Sequence, residues 1–299
     1  MNLAFYGRVT RSTDYDAIAR FLRLLREEGN PYTVYGPYAQ RLAEHERFAD
    51  CQNLLEPRYE AAAEVADVDF LFCIGGDGTL LDAVHFLQRI QLPIVAVNAG
   101  RLGFLASVGQ HELVQVYRQL QHDNWQPDER MLVEATSLPT QVFPGWPCAL
   151  NEITIHKANT NEMLMVHAYV NGEFLNSYWA DGLILSTPTG STAYNLACGG
   201  PIILPSAESL VLTPIAPHSL TVRPVILSTS CVVSFQIESR SGQAMIALDN
   251  RTELIPERLE IAVNRSQTTV KLVRFTDKTF FNTLRTRLNW GVDSRRFYS

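Results

Sequence analysis

A single carboxylate lies inside a run of glycines. The segment Gly75-Gly76-Asp77-Gly78-Thr79 follows an apolar run, Val68–Ile74, and precedes residues with helical spacing. Glycines let the backbone approach a phosphate closely, and the start of a helix offers free N–H groups to an anion. The lysine of a P-loop is missing, and Leu81 stands where a dinucleotide fingerprint has its third glycine. The pattern therefore predicts a phosphate-binding turn of another kind.

Asp77 needs an explanation of its own, because a carboxylate repels a bound phosphate. It could accept the proton of an attacking hydroxyl group, bind Mg²⁺, or cap a helix that we expect to begin near Thr79. Serine or asparagine would cap that helix equally well, so capping does not explain the charge. We therefore favour the first two roles.

Two later groups of polar residues are candidates for ligand binding. Asn151 both donates and accepts and Glu152 accepts, so the pair could bind vicinal ribose hydroxyls, although a strand pair satisfied by the backbone is the alternative. The run Thr187–Asn195 offers hydroxyls and amides to an anionic or adenine-bearing ligand. A plain capped turn would not need its aromatic residue, Tyr194, whose ring can stack on a base.

The pattern of the secondary-structure elements that must position these residues changes near residue 127. From Met1 to about Gln126, short buried runs alternate with helical spacing, as in the helix that Asp14 and Gly29 are expected to bound. This β-α alternation predicts a doubly wound α/β domain. Val68–Ile74, which leads into the glycine turn, has the continuous apolar character of a central parallel strand.

Beyond Pro127, short runs rich in valine, isoleucine and threonine predict an all-β, sandwich-like domain, with a hairpin at Asn171-Gly172. Residues Lys278–Leu288 are again helical in pattern, and this last helix could return to the first domain. The predicted domains are residues 1–127 with 277–299, which form the nucleotide-binding part, and residues 128–276, which form a β-rich part.

The composition of the chain argues against some classes of binding partner. A net charge of -6 and a pI of about 5.7, without a basic stripe, argue against nucleic acid. The N-terminal apolar stretch is too short for a signal peptide, and the apolar segment Pro201–Pro217 contains Glu208 and four prolines, so we expect no membrane association. Five dispersed cysteines indicate free thiols, and we expect a cytoplasmic protein.

The motifs as a set resemble the NAD kinase family. Gly75–Thr79 matches the GGDGT motif that NAD kinases share with diacylglycerol kinases, sphingosine kinases and phosphofructokinase relatives. Further stretches resemble NAD kinases specifically, and the resemblance runs from about Val68 to Gly291. They are Asn98–Leu105, Asn151-Glu152, Asp181–Tyr194, Phe281–Leu284 and Leu288–Gly291.

The resemblance implies a reaction and a set of site residues. Phosphate would pass from ATP, with Mg²⁺, to the 2′-hydroxyl of the adenosine ribose of NAD, and Asp77 would act as general base. The β-rich domain would bind NAD, and the chain would form a dimer or tetramer. The donor-phosphate loop would be Gly75, Gly76, Gly78, Thr79 and Arg101. The NAD-binding residues would be Asp77, Gly78, Asn151, Glu152, Asp181, Thr189, Thr192, Ala193, Tyr194 and Asn195.

Two positions depart from the family pattern. Trp179 stands where the family often has arginine, which leaves the preference between NAD and NADH open. Asp249-Asn250-Arg251 replaces an Asp-x-Gln pattern, and no role is assigned to Arg251. The choice between ATP and polyphosphate as donor also stays open.

Two other functions compete with NAD phosphorylation. A lipid kinase would use the same glycine turn but would need an apolar substrate pocket or a basic amphipathic helix, and the sequence offers no such helix. A non-catalytic dinucleotide sensor would be expected to lack Asp77 or the pair Asn151-Glu152, and all three are present. We therefore favour the NAD kinase function.

Overall fold

The computed structural model describes residues 1–100, 103–143, 145–159, 162–276 and 278–289. The chain divides into two compact units. Unit 1 comprises Met1–Asp128 with Lys271–Ser299, and unit 2 comprises Glu129–Val270. The first boundary between the units thus lies one residue after the boundary expected from sequence. The second lies six residues before its expected position, because the end of the last strand belongs to unit 1.

The strands and the α-helices are each numbered in chain order. The strands are β1 Leu3–Gly7, β2 Tyr32–Tyr35, β3 Arg58–Tyr59, β4 Phe70–Gly75, β5 Ile94–Asn98, β6 Val108–Gly109, β7 Gln126–Leu138, β8 Cys148–Ala149, β9 Glu152–Lys157, β10 Leu164–Val170, β11 Glu173–Ala180, β12 Gly182–Ser186, β13 Ser209–Ile215, β14 Val225–Ser228, β15 Val233–Glu238, β16 Gln243–Leu248, β17 Arg251–Pro256 and β18 Glu260–Arg274. The α-helices are α1 Tyr15–Glu27, α2 Gly36–Ala43, α3 Asp77–Leu87, α4 Leu113–Gln121, α5 Tyr194–Ala197 and α6 Phe280–Leu288.

Unit 1 is built on a parallel sheet in the order β3-β2-β1-β4-β5, with β6 and the end of β18 also beside β5. The strand order reverses between β1 and β4, which makes this a doubly wound sheet and confirms the predicted fold. Ligands of such sheets bind outside the carboxyl ends of the strands at the point of reversal. Strand β4 ends at Gly75, so the glycine turn lies at this point.

The predicted bounds of the first helix are confirmed at both ends. The Asp14 side chain accepts the N–H of Ala17 at 2.9 Å, and Gly29 follows the helix with a φ of +69°. Ile18 and Phe21 of α1 are buried in the core of this unit, together with Phe72 of β4. Burying aromatic and aliphatic side chains on both faces fixes β4, and with it the start of the glycine turn.

Unit 2 consists of antiparallel sheets, as expected for the β-rich domain. One sheet has the order β14-β13-β12-β9-β16-β17, and the second contains β11, β10, β15 and β18. Buried residues of both sheets, such as Ile153 and Val166, share one core. The hairpin at Asn171-Gly172 is confirmed, with positive φ at both residues.

Strand β18 differs from expectation, since the sequence indicates two separate runs, Leu259–Val263 and Thr269–Phe275. The structure has one strand of 15 residues. The polar residues between the runs do not interrupt it, because backbone pairing does not depend on side-chain polarity and the arginine there, Arg265, points to solvent.

The chain after β18 contributes to unit 1. Lys278 makes an ion pair with Glu112 at 2.8 Å just before α6, and Leu284 of α6 is buried. Within the ranges described, no helix is both long enough and apolar enough to span a membrane.

Candidate active site

The glycine turn leads directly into helix α3. Gly76 is the N-cap residue, and the helix begins at Asp77, two residues earlier than the sequence indicates. The capping role considered for Asp77 is therefore wrong, since Asp77 is already the first helical residue. The N-cap residue, Gly76, supplies no side-chain capping bond. The first turn thus presents its backbone N–H groups, and the positive end of the helix dipole, at the carboxyl edge of β4.

The three glycines of the turn differ in their surroundings. A Cβ atom at Gly75 would overlap the side chain of Thr79, whereas a Cβ atom at Gly76 or Gly78 would meet nothing within 4 Å. Thr79 is buried, and its N–H donates to the Gly76 carbonyl oxygen. Packing inside the protein therefore requires glycine at position 75 only, and Thr79 supports the turn.

Asp77 binds the backbone of a second loop. Its Oδ2 atom accepts the N–H of Phe104 at 2.8 Å, and its Oδ1 atom accepts those of Leu105 at 3.2 Å and Ala106 at 3.0 Å. This loop follows β5, the neighbour of β4 in the sheet, so two adjacent strand ends are joined through one carboxylate. Arg101, which was expected in the donor-phosphate loop, lies outside the described residues.

A second carboxylate in unit 2 holds the Asn151-Glu152 pair in the same manner. The Oδ2 atom of Asp249 accepts the N–H of Leu150 at 2.8 Å, and its Oδ1 atom accepts those of Asn151 at 2.7 Å and Glu152 at 3.2 Å. Burial raises the pKa of Asp249, and these amide donors oppose that shift. Asp249 therefore fixes the backbone at the start of β9.

Glu152 is a buried acid with an unusual ionisation. Burial, and secondarily the charge of Asp249, raise its pKa to about 8. Its Oε2 atom is buried and has no hydrogen-bond partner in the described part of the chain. Near neutral pH this side chain is therefore largely protonated and can donate as well as accept a hydrogen bond.

The loop between β12 and α5 packs on this pair. Thr187 donates its N–H to the Asn151 carbonyl oxygen at 2.8 Å and its hydroxyl to the Leu150 carbonyl oxygen at 2.6 Å. A Cβ atom at Gly190 would overlap the Asn151 carbonyl group. The hydroxyl-rich segment predicted as a ligand loop thus lies against Asn151, which explains the glycine at position 190.

Two of the expected NAD-binding side chains serve this loop instead of facing solvent. Asn195 is fully buried, and its side chain donates to the carbonyl oxygens of Ser191 and Pro201 and accepts the Thr213 hydroxyl at 2.6 Å. The Thr189 hydroxyl accepts an N–H of Arg130 at 3.2 Å and is also buried. Asn195 therefore organises the backbone of the loop.

The remaining candidates are more accessible. Tyr194 is exposed, and the pKa of its hydroxyl group is raised by partial burial and, to a smaller extent, by the charges of Asp181 and Glu152. Asp181 makes an ion pair with Lys157 at 2.6 Å. Thr192 and Ala193 are partly buried and connect this group to the loop.

The two departures from the family pattern have local structural partners. The Trp179 ring lies 4.6 Å from that of His218, and its carbonyl oxygen accepts the His218 N–H. Arg251 donates to the carbonyl oxygens of Trp146 and Cys148. Arg251 therefore holds the segment before β9.

The sequence patterns missed one positively charged residue that interacts with the glycine turn. Arg287 of α6 lies close enough to Asp77 for the two charges to interact. Neither its spacing nor its residue type distinguishes it from Arg285 in the same helix, so only the fold connects it to Asp77.

Comparison with known proteins agrees with both units. The family model for the ATP-NAD kinase N-terminal domain matches residues 15–124, and that for the ATP-NAD kinase C-terminal domain matches residues 150–275. An NAD kinase of Cytophaga hutchinsonii is 36% identical over 298 residues, covering 99% of this chain and 100% of the relative. One from Bacteroides fragilis is 34% identical over 297 residues, with the same coverage. The chain therefore belongs to the ATP-NAD kinase family, as its motifs predict.

Solved structures share the fold. The crystal structure of yeast NADH kinase complexed with NADH has a TM-score of 0.86 at 24% identity, covering 98% of this chain and 88% of that one. The structure of an NAD kinase from Archaeoglobus fulgidus in complex with ATP has a TM-score of 0.74 at 22% identity, covering 97% of this chain and 99% of that one. The likeness confirms an α/β domain combined with an antiparallel β domain.

Proposed function

We propose that this chain phosphorylates NAD at the 2′-hydroxyl of its adenosine ribose, with ATP as donor, giving NADP and ADP. Family membership supports the overall reaction. The observation that carries the assignment of the site is the uncapped start of α3, where a carboxylate, Asp77, stands between two glycines that the protein's own packing does not require. Such a site suits a phosphate group and a base acting beside it.

Asp77 is the proposed general base. A carboxylate has about four lone-pair positions, and three of those of Asp77 accept amide N–H groups. One position remains for the 2′-hydroxyl of the ribose, and the amides orient it. Phosphoryl transfer depends mainly on positioning and electrostatics, so an oriented carboxylate is sufficient as a base.

The donor phosphates are proposed to lie over the start of α3. The backbone N–H groups of the first helical turn and the space beside Gly76 and Gly78 would receive them. Gly75 and Thr79 would act indirectly by shaping the turn, because they pack on each other. Arg101 stays in the proposed donor loop as a residue expected from the family resemblance.

The dinucleotide is proposed to bind through residues of unit 2, and Asp77 and Gly78 stay in the proposed set as residues expected from the family resemblance. Asn151 and Glu152 would bind ribose hydroxyls, and the exposed ring of Tyr194 would stack on a ring of the ligand. Asp181, Thr192 and Ala193 would complete the contacts, and Thr189 would contribute by supporting the loop, since its hydroxyl is buried and accepts from Arg130. Asn195 would contribute by holding the loop, since its polar atoms are already paired.

Mg²⁺ is proposed to enter with the nucleotide. Within the ranges described, no three side chains of the types that hold metals come together. In nucleotide sites Mg²⁺ is held largely by phosphates and water with one or two carboxylates. The ion would neutralise charge on the triphosphate, and we assign it no protein ligand.

Assembly and location are extensions of this proposal from the family resemblance. We expect a homo-oligomer, either a dimer or a tetramer, and a cytoplasmic enzyme. Light scattering of the purified protein distinguishes these assemblies, and a monomer that is fully active would contradict the first expectation.

The test of function is an assay of NADP formation from NAD, ATP and Mg²⁺, with Asp77→Ala assayed in parallel. Wild-type turnover that disappears in the variant supports both the reaction and the base. A folded wild type that makes no NADP from ATP or from polyphosphate contradicts the proposed reaction and favours a dinucleotide sensor. If the protein used polyphosphate in preference to ATP, only the proposed identity of the phosphate donor would be wrong.

A further inference from the structure

Helix α6 carries an arginine, Arg287, with two buried guanidinium nitrogens that have no partner among the described residues. The Nε and Nη2 atoms of Arg287 are buried and make no hydrogen bond to any described residue. Leaving charged N–H donors without partners costs folding free energy. Such a group in a native structure is therefore a candidate for binding a ligand or an ion.

The position of Arg287 indicates which ligand. Burial lowers the pKa of the Arg287 guanidinium, and the negative charge of Asp77 opposes that shift, so the two charges interact. Asp77 accepts the amides of Phe104, Leu105 and Ala106, and neither the Nε nor the Nη2 atom of Arg287 donates to it. The donors of Arg287 are therefore available for a third group beside the proposed base.

We propose that Arg287 is a catalytic residue that binds the phosphoryl group during its transfer. This inference rests on the proposed function. The 2′-oxygen of NAD forms a bond to the γ-phosphorus of ATP while the bond from that phosphorus to the β–γ bridging oxygen breaks. The electron pair of the broken bond leaves with ADP, and the 2′-hydroxyl proton passes to Asp77. Arg287 stays protonated and donates N–H bonds to the equatorial phosphoryl oxygens, where charge is spread during transfer.

A structural role for Arg287 makes a different prediction. Basic residues in the last turn of a helix stabilise the helix dipole, and α6 has two of them, Arg285 and Arg287. Arg285 is exposed. If Arg287 served only the helix, replacing either arginine would have a similar and small effect.

The experiment compares Arg287→Gln, Arg287→Lys and the matched control Arg285→Gln with the wild type. We expect Arg287→Gln to lower kcat by about 10²–10³-fold while KM for NAD changes by less than about threefold, because the lost bonds belong to the transition state. Arg287→Lys keeps the charge but loses the planar fork, so we expect an intermediate kcat. Arg285→Gln should stay within about twofold of the wild type.

Chemical rescue separates a catalytic role from a structural one. Guanidinium chloride at tens of millimolar should restore part of the kcat of Arg287→Ala and none of that of Asp77→Ala. A folded Arg287→Gln variant with nearly wild-type kcat would overturn the inference while leaving the proposed function intact. If that variant does not fold, Arg287→Lys decides, and wild-type kcat in it overturns the inference. A wild-type protein that forms no NADP overturns both.

Discussion

The carboxylate of Asp77 lies directly against the Cα atom of Gly103, so closely that a Cβ atom at position 103 would overlap it. The amides of the next three residues, Phe104, Leu105 and Ala106, bind the same carboxylate. The proposed base and the loop after β5 are therefore one structural unit. A substitution in either should therefore alter the geometry of the other.

Gly103→Ala should impair catalysis more than stability. The added methyl group would displace the Asp77 carboxylate, which is at the free end of a side chain and can move, so we expect kcat to fall by about tenfold or more. The thermal midpoint should change by no more than a few degrees. Gly100→Ala is the matched control, because its Cβ atom would meet only Ser12 at an ordinary distance of 3.7 Å. Equal kcat in the two variants would contradict the link between Gly103 and the base.

Asp77→Asn should retain NAD binding and lose most turnover, by about 10²–10⁴-fold in kcat. The amide has a similar shape but cannot accept the hydroxyl proton, and its NH₂ group would face a backbone N–H donor. Calorimetry of NAD binding and steady-state kinetics measure the two effects separately. Unchanged kcat would remove Asp77 from the mechanism.

Gly78→Ala should weaken ATP binding without loss of stability, whereas Gly75→Ala should lower the free energy of unfolding. Position 78 has room within the protein, so the variant should fold normally and bind ATP more weakly if donor phosphates approach that backbone. Position 75 has no room beside Thr79, so that variant should lose about 1–3 kcal/mol of unfolding free energy. Urea denaturation and the KM for ATP distinguish them. A Gly78→Ala variant with unchanged KM for ATP would place the phosphates elsewhere.

Glu152 should make stability depend on pH. Because burial raises its pKa from 4.5 to about 8, folding must keep a proton that the unfolded chain releases above about pH 4.5. The contribution of the protonated form is fully present below pH 4.5, declines as the pH rises, and is lost once the pH has passed about 8. The expected total is on the order of a few kcal/mol.

The measurement for Glu152 is the difference in unfolding free energy between the wild type and Glu152→Gln as a function of pH. Glutamine does not titrate, so the difference isolates Glu152. We expect the wild type to lose stability relative to the variant between about pH 4.5 and 8 and to change little above that. A difference that is constant over this range would show that Glu152 ionises normally. Asp249→Asn is a useful companion, because removing that charge should lower the pKa of Glu152.

Asn195→Ala should destabilise unit 2 and weaken NAD binding as a consequence. The substitution removes the partners of the Thr213 hydroxyl and of two carbonyl groups in a fully buried site. We expect a loss of about 1–3 kcal/mol in unfolding free energy. Differential scanning calorimetry measures it. A variant with native stability and lost NAD affinity would indicate direct contact with the ligand instead.

The sequence by itself determined the fold class and the family, because both depend on local patterns. Alternating buried runs and helical spacing define the α/β unit, and short β-rich runs with Asn171-Gly172 define the antiparallel unit. The glycines around Asp77 and the segment Asp181–Tyr194 were sufficient to indicate an NAD kinase. These signals lie within short stretches of the chain, so they need no knowledge of distant contacts.

Only the tertiary structure decided what holds the site residues. Asp77 binds amides about thirty residues away, Asp249 binds amides about a hundred residues away, and the charge of Asp77 acts on Arg287 in the last helix. It also decided that Asn195 supports a loop and that Arg251 binds backbone carbonyls. A carboxylate or an arginine has the same appearance in a sequence whether it binds solvent, ligand or backbone. The partner is selected by burial and by groups that folding brings together from distant parts of the chain.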